Sequence, residues 1–296
     1  MGAIAICIRF FAVITSRAPL KNKFASHEKL PPPQGGNFCE DLYMILKWDI
    51  TIPQLTGERT RRAYVYLPRG YEEDTERRYP VMYMFDGHNL FFDEDATYGK
   101  SWGIGEYLDY TNTKLIVAAV ECNTVGNGRL EEYSPINFTM PGGARIRAKG
   151  KKYMDWLVGE FKPYIDANFR PLPDRQNTAL GGSSMGGLMT MYGLAVYGKY
   201  FGRGAALSPS LWVGGGIPAF LSRARFGRAT LLYMDYGSRE FGNHAEQKKI
   251  YSYVVSDLIQ KGVFVTSRIV PYGTHCEASW QRQLPVFFPA IGFEGE

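Results

Sequence analysis

The run Leu180-Gly181-Gly182-Ser183-Ser184-Met185-Gly186-Gly187 contains the pattern Gly-x-Ser-x-Gly, with Ser184 at its centre. A strand-like stretch, Asn177-Thr178-Ala179-Leu180, leads into it, and a helix-like stretch from Leu188 to Tyr197 leads out. A serine at the apex of such a strand–turn–helix unit is a nucleophile elbow. The turn strains the serine's backbone, so its neighbours must lack bulky Cβ substituents. The following helix points its unpaired N–H groups at the serine and favours negative charge developing there. A phosphate-binding turn is the competing use of so many glycines. However, no Lys-Ser/Thr follows to complete a P-loop, and Gly-x-Gly-x-x-Gly does not occur.

A serine hydroxyl is a weak nucleophile and needs a base that is itself held by a third group. Of the four histidines, His27 lies in an N-terminal tail and His88 precedes the serine by one strand–helix–strand span. His275 ends the loop Pro271-Tyr272-Gly273-Thr274-His275, directly after the last strand-like run, and is the predicted base. His244 also sits in a loop, but too close behind the candidate acids to be preferred. Those acids are Asp235 and Glu240 in Asp235-Tyr236-Gly237-Ser238-Arg239-Glu240, and spacing alone leaves both open. The order serine, acid, histidine is the one expected of α/β-hydrolases. An oxyanion hole would pair the N–H of Met185 with one from the loop Phe85-Asp86-Gly87-His88-Asn89-Leu90-Phe91. Such a donor is typically worth about 3 kcal/mol of transition-state stabilisation.

These groups must be carried by a sheet, and the chain supplies its strands. Tyr43–Pro53 and Arg62–Leu67 alternate like an antiparallel pair. Val81–Phe85, Leu115–Val120 and Thr178–Leu180 are uninterrupted apolar runs, as in strands buried on both faces, and Ala205–Leu207, Thr230–Met234 and Phe264–Val270 continue the series. Helical patterns over Trp102–Tyr110, Lys152–Asn168, Leu188–Tyr200 and Lys248–Lys261 lie between them. Alternation of this kind predicts a mostly parallel sheet with helices on both faces. One α/β domain spanning residues 43–296 is expected, roughly 250 residues long. Residues 1–42 read as a disordered extension: Ile4–Ile14 is broken by Arg9 and too short to span a bilayer, and Pro31-Pro32-Pro33-Gln34-Gly35-Gly36 reads as a linker.

Composition narrows the function. Charged residues at 21% and hydrophobic ones at 45% are ordinary for a globular domain, and a net charge of +5 is spread thinly. Lys149, Lys151 and Lys152 form the one tight basic cluster, without interleaved aromatics, so no nucleic-acid partner is expected. Cys7, Cys39, Cys122 and Cys276 have no paired spacing, which indicates neither a zinc site nor a disulfide framework. A cytoplasmic location is the expectation, with secretion the alternative if residues 1–42 include a degenerate signal.

Several stretches resemble the putative-esterase branch of the α/β-hydrolases, which includes S-formylglutathione hydrolases, feruloyl and acetylxylan esterases, siderophore trilactone esterases and bacterial mycolyltransferases. Arg62–Pro68 resembles the family's "VYLP" strand, and Tyr79–Gly87 its "YPVLYLLDG" strand and oxyanion loop. Arg129–Pro135 resembles "R-x-x-E-Y-x-P", Phe161–Asp166 resembles "ELIPYID", and Gly182–Gly187 resembles "GxSMGG". The resemblance runs from about Trp48 to Phe288. It implies an eight-stranded sheet without a large lid domain, Ser184 as nucleophile and His275 as base. It also implies that the acid follows a "G-T-x-D/E" turn, here Gly237-Ser238-Arg239-Glu240, which selects Glu240 and leaves Asp235 as a structural carboxylate. The second oxyanion N–H would come from His88. Trp102, the loop containing Arg129 and Tyr133, and Ser208–Trp212 would wall the pocket, with Arg129 and Glu132 able to pair and brace their loop. Trp280 would pack the last helix against the sheet. The activity implied is hydrolysis of a carboxylic ester through an acyl-enzyme, on an acylated sugar or aromatic ester. A siderophore trilactone esterase, an acyltransferase or a non-catalytic binding module of the same fold are the alternatives. The partner would be a small-molecule ester, with no metal, organic cofactor or membrane span required and the oligomeric state left open.

Overall fold

Strand residues that alternate between two apolar faces can sit only in a sheet covered on both sides, and that is the arrangement found. The computed structural model describes residues 13–16, 43–213, 216–240 and 244–295. The strands are β1 (Val13–Ser16), β2 (Met44–Thr51), β3 (Thr60–Leu67), β4 (Val81–Met84), β5 (Ile116–Val120), β6 (Phe138–Thr139), β7 (Arg145–Ile146), β8 (Thr178–Ser183), β9 (Arg203–Leu207), β10 (Leu231–Gly237) and β11 (Phe264–Val270). The helices are α1 (Pro53–Thr56), α2 (Ile104–Tyr110), α3 (Gly128–Glu132), α4 (Gly150–Trp156), α5 (Lys162–Asn168), α6 (Met185–Val196), α7 (Gly216–Arg223), α8 (His244–Gln260), α9 (Glu277–Gln281) and α10 (Leu284–Ala290). The main sheet has the order β1-β2-β3-β5-β4-β8-β9-β10-β11, while β6 and β7 form a separate small pair. The eight strands expected, β2–β5 and β8–β11, are all present, and β1 adds a ninth beside β2. Among the described residues, only the pairings β2–β3 and β3–β5 are antiparallel in this sheet. The disorder expected of residues 1–42 otherwise lies outside the described residues. No helix among the described residues is long and apolar enough to cross a membrane.

The two faces are filled by alternate residues of the same strands. Val81 and Tyr83 of β4, with Ile116, Ala118 and Val120 of β5, join a core shared with α4, α5, α6, α7 and α8. Met82 and Met84, with Val117 and Ala119, face a second core built on α2, Trp280 and α10. Between α4 and α5 the helix widens into π geometry over Leu157–Phe161. Pro163 explains this: it has no N–H for the carbonyl four residues back, and its ring would clash there.

Topology decides where chemistry can occur. From β4 the chain crosses to β5 on one side, and later returns to β8 on the other. The carboxyl ends of β4 and β8 therefore leave the sheet side by side at a switch point, where a crevice opens. Met84 is paired with Gly181, and Phe85 donates its N–H to the Gly181 carbonyl at 2.9 Å. The loop Asp86–Asn89 and the turn at Ser184 thus emerge next to one another.

The second core supports this end of the sheet through aromatics. Phe287 is fully buried, with its ring centroid 4.4 Å from Phe288, 6.0 Å from Tyr233 and 6.5 Å from Trp102. Phe287→Ala is expected to lower unfolding stability by about 3–5 kcal/mol, read from the urea midpoint at unchanged m-value.

Candidate active site

Ser184 forms the junction of β8 and α6, with φ 58° and ψ −119°. Its N–H bonds to the Leu207 carbonyl at 2.9 Å, and its own carbonyl accepts the N–H groups of Leu188 and Ser210, each at 3.0 Å. The following glycine has a packing reason: a Cβ on Gly186 would lie 2.9 Å from Phe85 Cβ. Asp86, Ser208 and Tyr272 also have positive φ, at 58°, 44° and 59°. They follow β4, β9 and β11, so with Ser184 four of the six positive-φ non-glycine residues described stand at carboxyl ends of strands, while Asn112 and Ala229 lie elsewhere.

His275 stands over this turn. Its Nε2 is 2.9 Å from Ser184 Oγ, and its Nδ1 is 2.9 Å from Glu240 Oε2. With Nδ1–H donated to the carboxylate, Nε2 is left to accept the serine proton. Glu240 is buried, and its other oxygen, Oε1, accepts the Ser208 hydroxyl at 2.6 Å and the Gly237 N–H at 2.7 Å. The loops carrying Glu240 and His275 are also joined directly. Arg239 donates its N–H to the Gly273 carbonyl at 2.9 Å, and Tyr272 donates its N–H to Ser238 Oγ at 2.8 Å. At Gly237 a Cβ would fall 2.3 Å from the Gly273 carbonyl carbon, so only glycine admits this approach. Asp235, the other candidate acid, turns away into the core. It accepts the Tyr233 hydroxyl at 2.7 Å and the Ser208 N–H at 3.1 Å.

Met185 opens α6, where first-turn amides have no helical acceptor, and His88 lies in the 3₁₀ turn Gly87–Asn89, in the same situation. The His88 side chain is buried, with Nε2 3.0 Å from Thr97 Oγ1.

Of the residues expected to wall the pocket, Trp212 is half-buried beside Phe138, their rings edge-to-face at 6.1 Å. Three expectations need correction. Trp102 is only 2% exposed and packs behind Trp280, ring centroids 5.9 Å apart, so it faces the core rather than a substrate. Tyr133 is fully buried, and its hydroxyl accepts the Asp86 N–H at 3.2 Å, bracing the loop after β4 from within. The expected Arg129–Glu132 pair does not form either. Arg129 grips Asp86 through Nε and a terminal nitrogen, each at 2.7 Å, while Glu132 takes two bonds of 2.8 Å from the buried Arg61. Each carboxylate lies across the sheet end from its partner, a pairing that a four-residue helical spacing cannot reveal. Burial opposes the charge on Asp86, but the adjacent guanidinium outweighs it and holds the carboxyl below its usual range. At Glu132 burial prevails over Arg61 and raises the carboxyl.

Sequence reasoning also missed what supports the acid. Trp280 does pack against the sheet, but its Nε1–H additionally donates to Ser208 Oγ at 3.0 Å, and its ring meets His275 edge-on at 5.0 Å. Ser208 thus passes one hydrogen bond from Trp280 to Glu240. The one signal for it was its place immediately after β9, among strand-end loops.

With this geometry in view, the comparisons are consistent. Residues 55–291 match the model of the family described as "Putative esterase". The chain belongs to that family. Membership makes it a carboxylic ester hydrolase with an α/β-hydrolase-type sheet. An uncharacterized protein of Bacillus subtilis, YbbA, is 27% identical to this esterase over 188 residues, which is 61% of this chain and 69% of that protein. An endo-1,4-beta-xylanase/feruloyl esterase of Xylanibacter ruminicola is 26% identical over 140 residues, 45% of this chain but 17% of that longer protein. Among solved structures, an IroE-like serine hydrolase from Shewanella oneidensis shares the fold with a TM-score of 0.65 and 21% identity, over 83% of this chain and 78% of that one. An S-formylglutathione hydrolase from Staphylococcus aureus does so with 0.59 and 14%, over 85% and 98%.

Two measurements probe the support of the acid. Ser208→Ala would leave a buried carboxylate oxygen short of a donor and Trp280 N–H without an acceptor. It should cost about 1–3 kcal/mol in urea unfolding and lower kcat more than it changes KM. Asp235 is pushed up to about 7 from 3.8 by burial, with Glu240 adding to it. Between those values the folded protein keeps a proton that the unfolded chain has lost, so stability falls as pH rises through that window and levels off above it. Asp235→Asn cannot ionise. Wild type should therefore lose stability relative to this variant, on the order of a few kcal/mol between about pH 4 and pH 8, in urea titrations.

Proposed function

We propose that this esterase works through an acyl-enzyme, with Ser184 as nucleophile, His275 as general base and acid, and Glu240 as the orienting carboxylate. The observation that carries this is the position of His275, with Ser184 Oγ 2.9 Å from one ring nitrogen and Glu240 Oε2 2.9 Å from the other. Ser184 Oγ attacks the ester carbonyl carbon as its proton passes to Nε2 of His275. Glu240 keeps Nδ1–H directed and stabilises the imidazolium without itself taking the proton. The N–H groups of Met185 and His88 receive the oxyanion. The imidazolium then protonates the leaving alcohol as its C–O bond breaks. Water, deprotonated by the same nitrogen, attacks the acyl-enzyme, and the acid leaves with Ser184 restored. No step calls for a metal or an organic cofactor.

The substrate class we propose is an acylated sugar or an aromatic carboxylic ester. Ser210 Oγ lies 3.3 Å from Ser184 Oγ, and the half-buried Trp212 two residues on offers a flat apolar wall to a ring. Relatives named for ferulic acid or feruloyl ester cleavage support this choice. The site is also open: His275 is exposed and Ser184 half-buried, so a bulky alcohol portion can remain in solvent. The resemblance to siderophore hydrolases such as IroE keeps cyclic trilactones as the competing class.

A fluorophosphonate probe should label wild type at one site and leave Ser184→Ala unlabelled, with hydrolysis of a short aryl ester falling by about 10⁴-fold or more. Labelling of Ser184→Ala at an unchanged level would refute the nucleophile. Feruloylated and acetylated oligosaccharides should be cleaved with higher kcat/KM than a cyclic trilactone, and the reverse order would reassign the substrate class.

A further inference from the structure

Behind the oxyanion loop lies a group of side chains that the ester chemistry does not use. Asp86 and His88 come from that loop and Cys122 from just after β5. They are 4%, 5% and 3% exposed, and one potential ligand atom from each lies within 4.8 Å of the others. His88 Nδ1 is buried and has no hydrogen-bond partner among the described residues. An orphaned nitrogen of this kind is costly in a core and calls for an explanation. We propose that Asp86, His88 and Cys122 form a binding site for a zinc-type divalent cation that clamps the oxyanion loop to the end of β5.

The donor set fits such an ion. One carboxylate oxygen, one imidazole nitrogen and one thiolate are the ligand types that Zn²⁺ accepts, with a fourth position left for water or a further group. The surroundings also match what metal ligands need. Nε2–H of His88 can donate to Thr97 Oγ1, which leaves the lone pair on Nδ1, the tautomer a metal requires. Each Asp86 oxygen accepts one N–H from Arg129 and retains a second lone pair. The nearby Arg129 would by itself oppose a cation, but Glu277 is buried within electrostatic range of both Asp86 and Arg129. The cation and Arg129 then carry three positive charges, against three negative ones on Asp86, Glu277 and the Cys122 thiolate. The Cys122 thiol lies beside the Asp86 carboxylate, with its sulfur within 4.8 Å of a carboxylate oxygen. Metal binding replaces the thiol proton by an S–metal bond and releases one H⁺ per ion bound. Sequence spacing could not show this site, because the loop after β4 and the end of β5 meet only through the sheet.

The test uses the full-length, tag-free protein, stripped with a chelator and checked by circular dichroism. Zinc titration should give one tight equivalent and a rise in Tm. Cobalt in its place should give a thiolate-to-metal charge-transfer absorption. Cys122→Ala and His88→Gln should each lose the equivalent and the absorption, while Cys276→Ala and His275→Ala keep both. Thr97→Val, which removes only the support of His88, should weaken binding by about 10–100-fold. If wild type binds no more zinc than Cys122→Ala, or cobalt shows no thiolate absorption, the proposal is wrong. Loss of the equivalent in His275→Ala with retention in Cys122→Ala would likewise overturn it, placing the ion at the triad. If Cys122→Ala fails to fold, His88→Gln and the cobalt spectrum of wild type still decide the matter.

Discussion

Ser184 occupies a backbone conformation that costs a non-glycine residue of order 1–3 kcal/mol, and it persists because its surroundings permit nothing else. Its N–H is tied to the end of β9, and its carbonyl is tied to α6 and to Ser210. The glycine after it brings α6 against Phe85, so the elbow is also locked to the strand that carries the oxyanion loop. Three further strained residues stand on neighbouring strand ends. The sheet therefore supplies the stability, and its carboxyl edge uses part of that stability to hold reactive geometry.

Around this edge, several buried carboxylates are held by close hydrogen bonds and ion pairs. Glu240 is saturated by Ser208, Gly237 and His275, leaving no oxygen exposed to core hydrocarbon. Ser208 accepts from Trp280, whose ring in turn meets His275, so Glu240 and His275 share one scaffold. Arg61–Glu132 and Arg129–Asp86 do the same for the α3 region and the oxyanion loop. Removing either guanidinium would strand a buried carboxylate, so these pairs serve to position loops rather than to add net stability.

Much of this was legible in the chain. The elbow was readable because its strand, turn and helix are contiguous, and each imposes a local residue preference. His275 was readable because few histidines follow a strand at the right point. Glu240 against Asp235 was not separable by spacing, since both follow β10 and only the approach of Gly237 to Gly273 turns one toward the histidine and the other into the core. Trp102 looked like pocket lining because aromatic character does not reveal which face a side chain meets.

Periodicity and glycine placement in the sequence alone determined the α/β architecture and the strand–turn–helix unit at Ser184, since each arises from backbone preferences over a few consecutive residues. Only the tertiary structure decided that Arg61 takes Glu132, that Arg129 takes Asp86, and that Ser208 and Trp280 hold the acid. It alone brought Cys122 to His88. These contacts join β3 and the loops after β4, β5 and β9 with one another and with α3 and α9, and sheet order brings them together. Sheet order is set by the burial of two whole faces, a property of the entire chain that no single stretch of it contains.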